Sequence, residues 1–89
     1  MELYFSPEWM NKNIQILNVV TDRQKPVGYL CIFHEDKKMY IFGNLQDGGL
    51  KEDYHDLIKP YIQGLANISG DAEMFSYITI GGEMIQFEQ

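Results

Sequence analysis

Residues 29–44, YLCIFHEDKKMYIFGN, decide how this chain folds. Two apolar runs flank a charged link, Glu35-Asp36-Lys37-Lys38, which is the pattern of a β-hairpin. Pairing Glu35 with Lys38 sets Ile32 opposite Ile41 and Leu30 opposite Gly43. Successive side chains of a strand point to opposite faces. The other face therefore carries Tyr29, Cys31 and Phe33 against Asn44, Phe42 and Tyr40. One face is aliphatic and the other aromatic, and both are apolar. Cross-strand pairs of this kind each stabilise a sheet by ~0.2–1 kcal/mol.

Working outward toward the N-terminus, residues 14–21 (IQILNVVT) are β-branched and aliphatic and read as a strand. Asp22 to Pro26 form the turn into the strand at 27–34, which pairs with 39–45. Residues 2–5 read as a short strand. Ser6, Pro7 and Glu8 then supply an N-cap, a first helical position and a first-turn acid, so a helical turn over 7–11 that tucks Trp9 away is expected.

Toward the C-terminus, Leu50, Tyr54, Leu57, Ile58, Tyr61, Leu65 and Ile68 recur at helical spacing. They predict a helix over 50–68 with Gly70 as its stop. Pro60 removes the N–H that would reach the Asp56 carbonyl, which predicts a kink near 56–60 or a break into two helices. Gly81-Gly82 is a two-residue hairpin signal between strands at 73–80 and 84–88. That register pairs Ile78 with Ile85 and Ser76 with Phe87. One face then holds Met74, Ile78, Ile80, Ile85 and Phe87, and the other Phe75, Tyr77, Thr79 and Met84.

The whole is an α+β reading: residues 1–89 as one domain, with a mostly antiparallel sheet of about five strands. The element order is strand, short helix, three strands, helix, two strands. One principal, Pro-kinked helix packs on one face. A right-handed crossover is expected for the helix between strands 39–45 and 73–80.

The chain has 89 residues, 13 acidic and seven Lys or Arg, for a net charge of −6. Residues 70–89 contain no Lys or Arg. Nucleic-acid binding needs a basic footprint that releases counterions, and an anionic membrane surface needs the same. Both are disfavoured as partners. The single cysteine, Cys31, allows no internal disulfide and fits a reducing compartment. MELYFSPEW has neither the basic nor the apolar region of a signal peptide, and no apolar run reaches the ~20 residues of a membrane helix. The expectation is a soluble, cytoplasmic protein.

Candidate chemistry is sparse. His34 lies beside the hairpin turn, and His55 near the helix start between Tyr54 and Asp56. Neither has a partner in sequence that would make it a catalytic base. Both are expected to be exposed or half-buried. One cysteine and two scattered histidines cannot make a zinc site. Asp47, Glu52 and Asp53 lack EF-hand spacing, so no metal and no cofactor is expected. Cys31 is mid-strand among apolar neighbours, without the electropositive setting of a reactive thiol.

The loop GNLQDGGLKEDYHD, residues 43–56, runs a glycine pair into the helix, a place where backbone N–H groups hold anions. Asp47, Glu52, Asp53 and Asp56 crowd it against Lys51 alone, which makes it an acidic shoulder. Strands 27–34 and 39–45, this loop and the helix resemble the central unit of GNAT acetyltransferases. There a Q/R-x-x-G-x-G/A turn holds the diphosphate of acetyl-CoA. Gln46 and Gly49 match that pattern, while Lys51 stands where it has Gly or Ala. The resemblance covers under half the chain. It implies an acyl-CoA-binding or acyltransferase-like domain using the Gln46–Lys51 turn.

The two-faced sheet carries the leading reading. One helix covers one face, and the aliphatic face is its natural partner. Tyr29, Phe33, Tyr40, Phe42, Phe75 and Tyr77 remain on the other. A monomer rarely exposes a large contiguous apolar patch. Either the N-terminal segment, with Phe5 and Trp9, folds over these rings, or the rings are an interface. The expectation is a non-enzymatic protein–protein interaction or regulatory module, homodimeric through this face or through edge pairing of strand 84–88. A basic protein is the other partner that the acidic surface suits.

Overall fold

The computed structural model describes residues 2–70 and 72–85. Six strands, β1 (Leu3–Met10), β2 (Ile14–Thr21), β3 (Pro26–Glu35), β4 (Lys38–Leu45), β5 (Glu73–Ile80) and β6 (Glu83–Ile85), form one sheet in sequential order. One helix, α1 (Lys51–Ser69), lies between β4 and β5. All neighbouring pairs are antiparallel except β4 and β5, which are parallel. A parallel pair requires a crossover, and α1 is that crossover. The α+β architecture is as expected, with six strands where about five were anticipated.

The central hairpin has the register read from its sequence. Glu35 pairs with Lys38, Ile32 with Ile41, Leu30 with Gly43 and Phe33 with Tyr40. Asp36 makes the turn with φ 55°, a conformation that Asp tolerates better than most residues. The second hairpin turns at Gly81 and Gly82, both with positive φ, and pairs Ile78 with Ile85. The expected pairing of Ser76 with Phe87 lies outside the described residues.

The first segment departs from expectation. Residues 7–11 are not helical, because β1 continues through Met10. Ser6-Pro7-Glu8 has the chemistry of a helix start, but β2 offers a full-length pairing partner. Pro7 costs little there, because β1 is an edge strand whose outer side needs no N–H. The register slips between Pro7 and Trp9, so that Pro7 pairs with Leu17 and Trp9 with Ile16. This is a β-bulge, with Glu8 the extra residue.

The helix begins after a 3₁₀ turn at Gly48–Leu50. The Asp47 carboxylate accepts from the Gly49 N–H at 2.8 Å and caps this turn. Gly70, at φ 72°, ends α1 by donating its N–H to the Ala66 carbonyl. Pro60 does not divide it: α1 is one continuous helix of 19 residues, with Pro60 exposed on its outer side. The buried stripe is Tyr54, Ile58 and Ile62, flanked by partly buried Leu50, Leu57, Tyr61 and Leu65. Ile68, expected on that stripe, is 84% exposed in the last turn.

Leu17, Val19, Leu30, Ile32, Ile41 and Ile78 close the core from the sheet side. Tyr54 anchors the helix start, donating its hydroxyl to the Tyr29 carbonyl at 2.8 Å. Gly43 makes room for it, since a Cβ there would stand 2.4 Å from that hydroxyl. Tyr61 anchors the middle of the helix, stacking obliquely on Phe5 with centroids 5.1 Å apart and donating to Gln15 Oε1 at 2.8 Å.

Candidate functional site

Strand parity and pairing assign every side chain to one face of the sheet. α1 covers the face of Leu17, Leu30, Ile41 and Ile78. On the opposite face no element packs among the described residues. Its side chains form rows across the strands. One row is Ile14, Phe33, Tyr40 and Phe75. The next is Trp9, Ile16, Cys31, Phe42 and Tyr77. A third is Ser6, Asn18, Tyr29, Asn44, Thr79 and Met84.

The six expected aromatic residues, Tyr29, Phe33, Tyr40, Phe42, Phe75 and Tyr77, all lie on this face. Their rings are ordered against one another. Tyr40 stacks on Phe75 at 5.4 Å, and Phe42 on Tyr77 at 5.2 Å. Phe33 meets Phe42 edge-on at 5.7 Å. Offset-stacked and edge-to-face rings hold one another in fixed orientations. Phe42 and Tyr77 remain 38% and 44% exposed, while Phe33, Tyr40 and Phe75 are half-buried among their neighbours.

Sequence parity missed two members, Tyr4 and Trp9. The N-terminal segment does not fold over the rings. It extends the sheet as β1 and adds these two exposed side chains to the same open face. Tyr4 belongs there by simple alternation once residues 3–6 pair with β2. Trp9 belongs there because of the bulge: without the extra residue its odd number would place it with Leu3 and Phe5, on the helix side. A one-residue slip always flips a strand's faces.

Charge is confined to the rim. Glu35, Lys38 and Glu73 form one cross-strand row at one end. Glu8 lies at the β1 edge, accepting from the Asn18 side-chain amide at 3.2 Å. The two aromatic rows between carry no ionisable group except tyrosine hydroxyls and Cys31. Burial pushes the Cys31 thiol up, so it is protonated and a poor nucleophile at neutral pH.

The other candidates are dispersed. His34 is half-buried on the helix side, and its backbone N–H donates to the Asn13 carbonyl at 2.7 Å. His55 is half-buried near the start of α1. The two stand at opposite ends of the helix-covered side. The acidic shoulder has Asp47, Glu52 and Asp56 exposed and Asp53 half-buried. In the glycine turn, Asp47 occupies the Gly49 N–H, and the Leu50 N–H donates to the Asp47 carbonyl at 3.1 Å. Among the described residues no group of three or more His, Cys, Asp or Glu could hold a metal ion, and no helix is long and apolar enough to cross a membrane.

The fold and this surface define a class: a six-stranded α+β sheet protein with one face under a helix and one open. Comparison with known proteins finds no matching family, no matching curated protein and no matching solved structure.

Proposed function

We propose that this chain is a non-enzymatic protein–protein interaction module that self-associates, packing its aromatic sheet face against the same face of a second copy. The observation that carries the reading is the open face itself: two rows of ordered rings, without charge between them. Five strands ~4.8 Å apart, each lining the face over about seven residues, with the three described residues of β6 at their edge, give roughly 600 Å² per copy. Two such faces together bury on the order of 1,200 Å², at the lower end of the ~1,200–2,000 Å² of specific interfaces. Face-to-face sheets pack ~10 Å apart with their side chains interdigitated. The neutral face also lets two chains of net charge −6 meet without opposing their carboxylates.

Edge pairing is the less favoured route to the same dimer. β1 bears Pro7, the bulge and Glu8 on one edge of the sheet, and each of these blocks strand addition. On the other edge, the described part of β6 is three residues long. A basic protein docking on the acidic shoulder is a separate partnership that leaves the face free. The single cysteine and the acidic surface suit a reducing, cytoplasmic setting.

The test is Phe42→Lys. Phe42 is central and partly exposed, so lysine can stand in solvent in the monomer but not between two packed sheets. Sedimentation velocity should show the wild type as a dimer at tens of micromolar and F42K as a monomer with an unchanged circular dichroism spectrum. A wild type that stays monomeric at high micromolar concentration overturns the proposal.

A further inference from the structure

The β1 bulge has no role in covering the core. Met10, which follows Trp9 and returns to the helix side, is 52% exposed. What the bulge does is re-aim one side chain. Trp9 is turned from the parity of Leu3 and Phe5 to that of Ile16, Cys31, Phe42 and Tyr77, and it completes their row. Bulges recur at sheet edges where they direct a side chain to a working surface. Two local features hold this one: Pro7 fixes its own φ at the start of the slip, and the Glu8 carboxylate accepts from Asn18. The result is the largest side chain of the chain standing 58% exposed on the open face. In a monomer that exposure gains nothing. In an interface, tryptophan is the residue type most enriched among those that dominate binding.

We infer that Trp9 is an anchor of the dimer interface, set on the aromatic face by the Pro7–Trp9 bulge and buried by the second copy. This rests on the face-to-face reading above and adds a residue outside the ring set on β3, β4 and β5. The second copy is the occupant because the row that Trp9 completes belongs to the same uncharged face, and two such faces reach the area of a specific interface.

Trp9 is the sole tryptophan, so its fluorescence reports its own environment. A dilution series from high micromolar to nanomolar is followed by emission wavelength and by sedimentation, for wild type, W9A and W9F. The expected result is a red shift of emission that tracks dissociation in the wild type. W9A should raise the dimer dissociation constant about 30-fold or more, and W9F should recover part of it. A dimer that F42K abolishes, but whose emission is that of water-exposed indole and whose affinity W9A leaves unchanged, overturns the Trp9 inference and leaves the face reading standing. A wild type that is monomeric throughout overturns both.

Discussion

Replacing Gly43 with alanine tests how tightly the helix is seated on the sheet. The new Cβ would lie 2.4 Å from the Tyr54 hydroxyl and 3.3 Å from Ile78 Cγ1. Tyr54 is fully buried, so its ring cannot swing into solvent to make way. Two costs follow. Forcing a methyl group into a packed site costs ~1–3 kcal/mol. Displacing the hydroxyl from the Tyr29 carbonyl leaves buried polar groups unpaired, for about another 1–3 kcal/mol. The expected loss for G43A is therefore roughly 2–6 kcal/mol, a large share of the ~5–15 kcal/mol that stabilises a domain. Y54F alone removes the hydrogen bond and should cost about 1–2 kcal/mol. In the double variant the clashing oxygen is gone, so the two losses should fall short of additive by about 1 kcal/mol or more. Urea unfolding of all four proteins at one fixed protein concentration measures this. Additivity within about 0.5 kcal/mol would refute the claim that Gly43 is required by the Tyr54 hydroxyl.

Three further outcomes are expected. Burial first, then the neighbouring Tyr29, pushes the Tyr54 hydroxyl above its ordinary value, while the unfolded chain keeps that ordinary value near 10. The stability this contributes is complete below about pH 10 and is lost progressively as pH rises above it, so the urea midpoint should fall from about pH 10 upward, less steeply in Y54F. Cys31 should alkylate slowly with iodoacetamide near neutral pH, and more slowly as protein concentration rises toward the dimer, because it lies in the Trp9 row. In a thermal-shift titration with acetyl-CoA and free CoA, Tm should stay flat to millimolar ligand, since a native-state ligand would raise it; a saturable rise would favour the acyl-CoA reading of the Gln46–Lys51 turn.

Most of the sheet was legible because its information is local. The two-residue turns at 36–37 and 81–82 fix their hairpin registers, and alternation then sorts aromatic from aliphatic residues. The helix was legible as a stripe, though Ile62, absent from the expected set, is fully buried and Ile68 runs past the sheet. Periodicity gives the stripe's direction but not where the sheet beneath it ends. Residues 7–11 were misread because Ser-Pro-Glu carries equal local credentials for a helix start. Only pairing with β2, a non-local fact, decides for a strand. Trp9 was illegible for a deeper reason. Its face depends on one inserted residue, and no composition rule locates a bulge. Pro60 shows the converse: a breaker on the outer side of a helix held down at Tyr54, Ile58 and Ile62 does not break it.

Sequential strand order bears on how the molecule assembles. β1 to β4 can form by hairpins whose ends are close in the chain, while the first β4–β5 pair joins Lys38 to Glu73 across α1. Loop closure makes that the slow contact to form. Until it forms, the four-stranded meander has no helix on it and is greasy on both sides. A chain caught before that contact forms would present two sticky surfaces, of which the finished monomer keeps one. The interval between meander and helix docking is where premature clumping would begin, and crowding of nascent chains would set its severity.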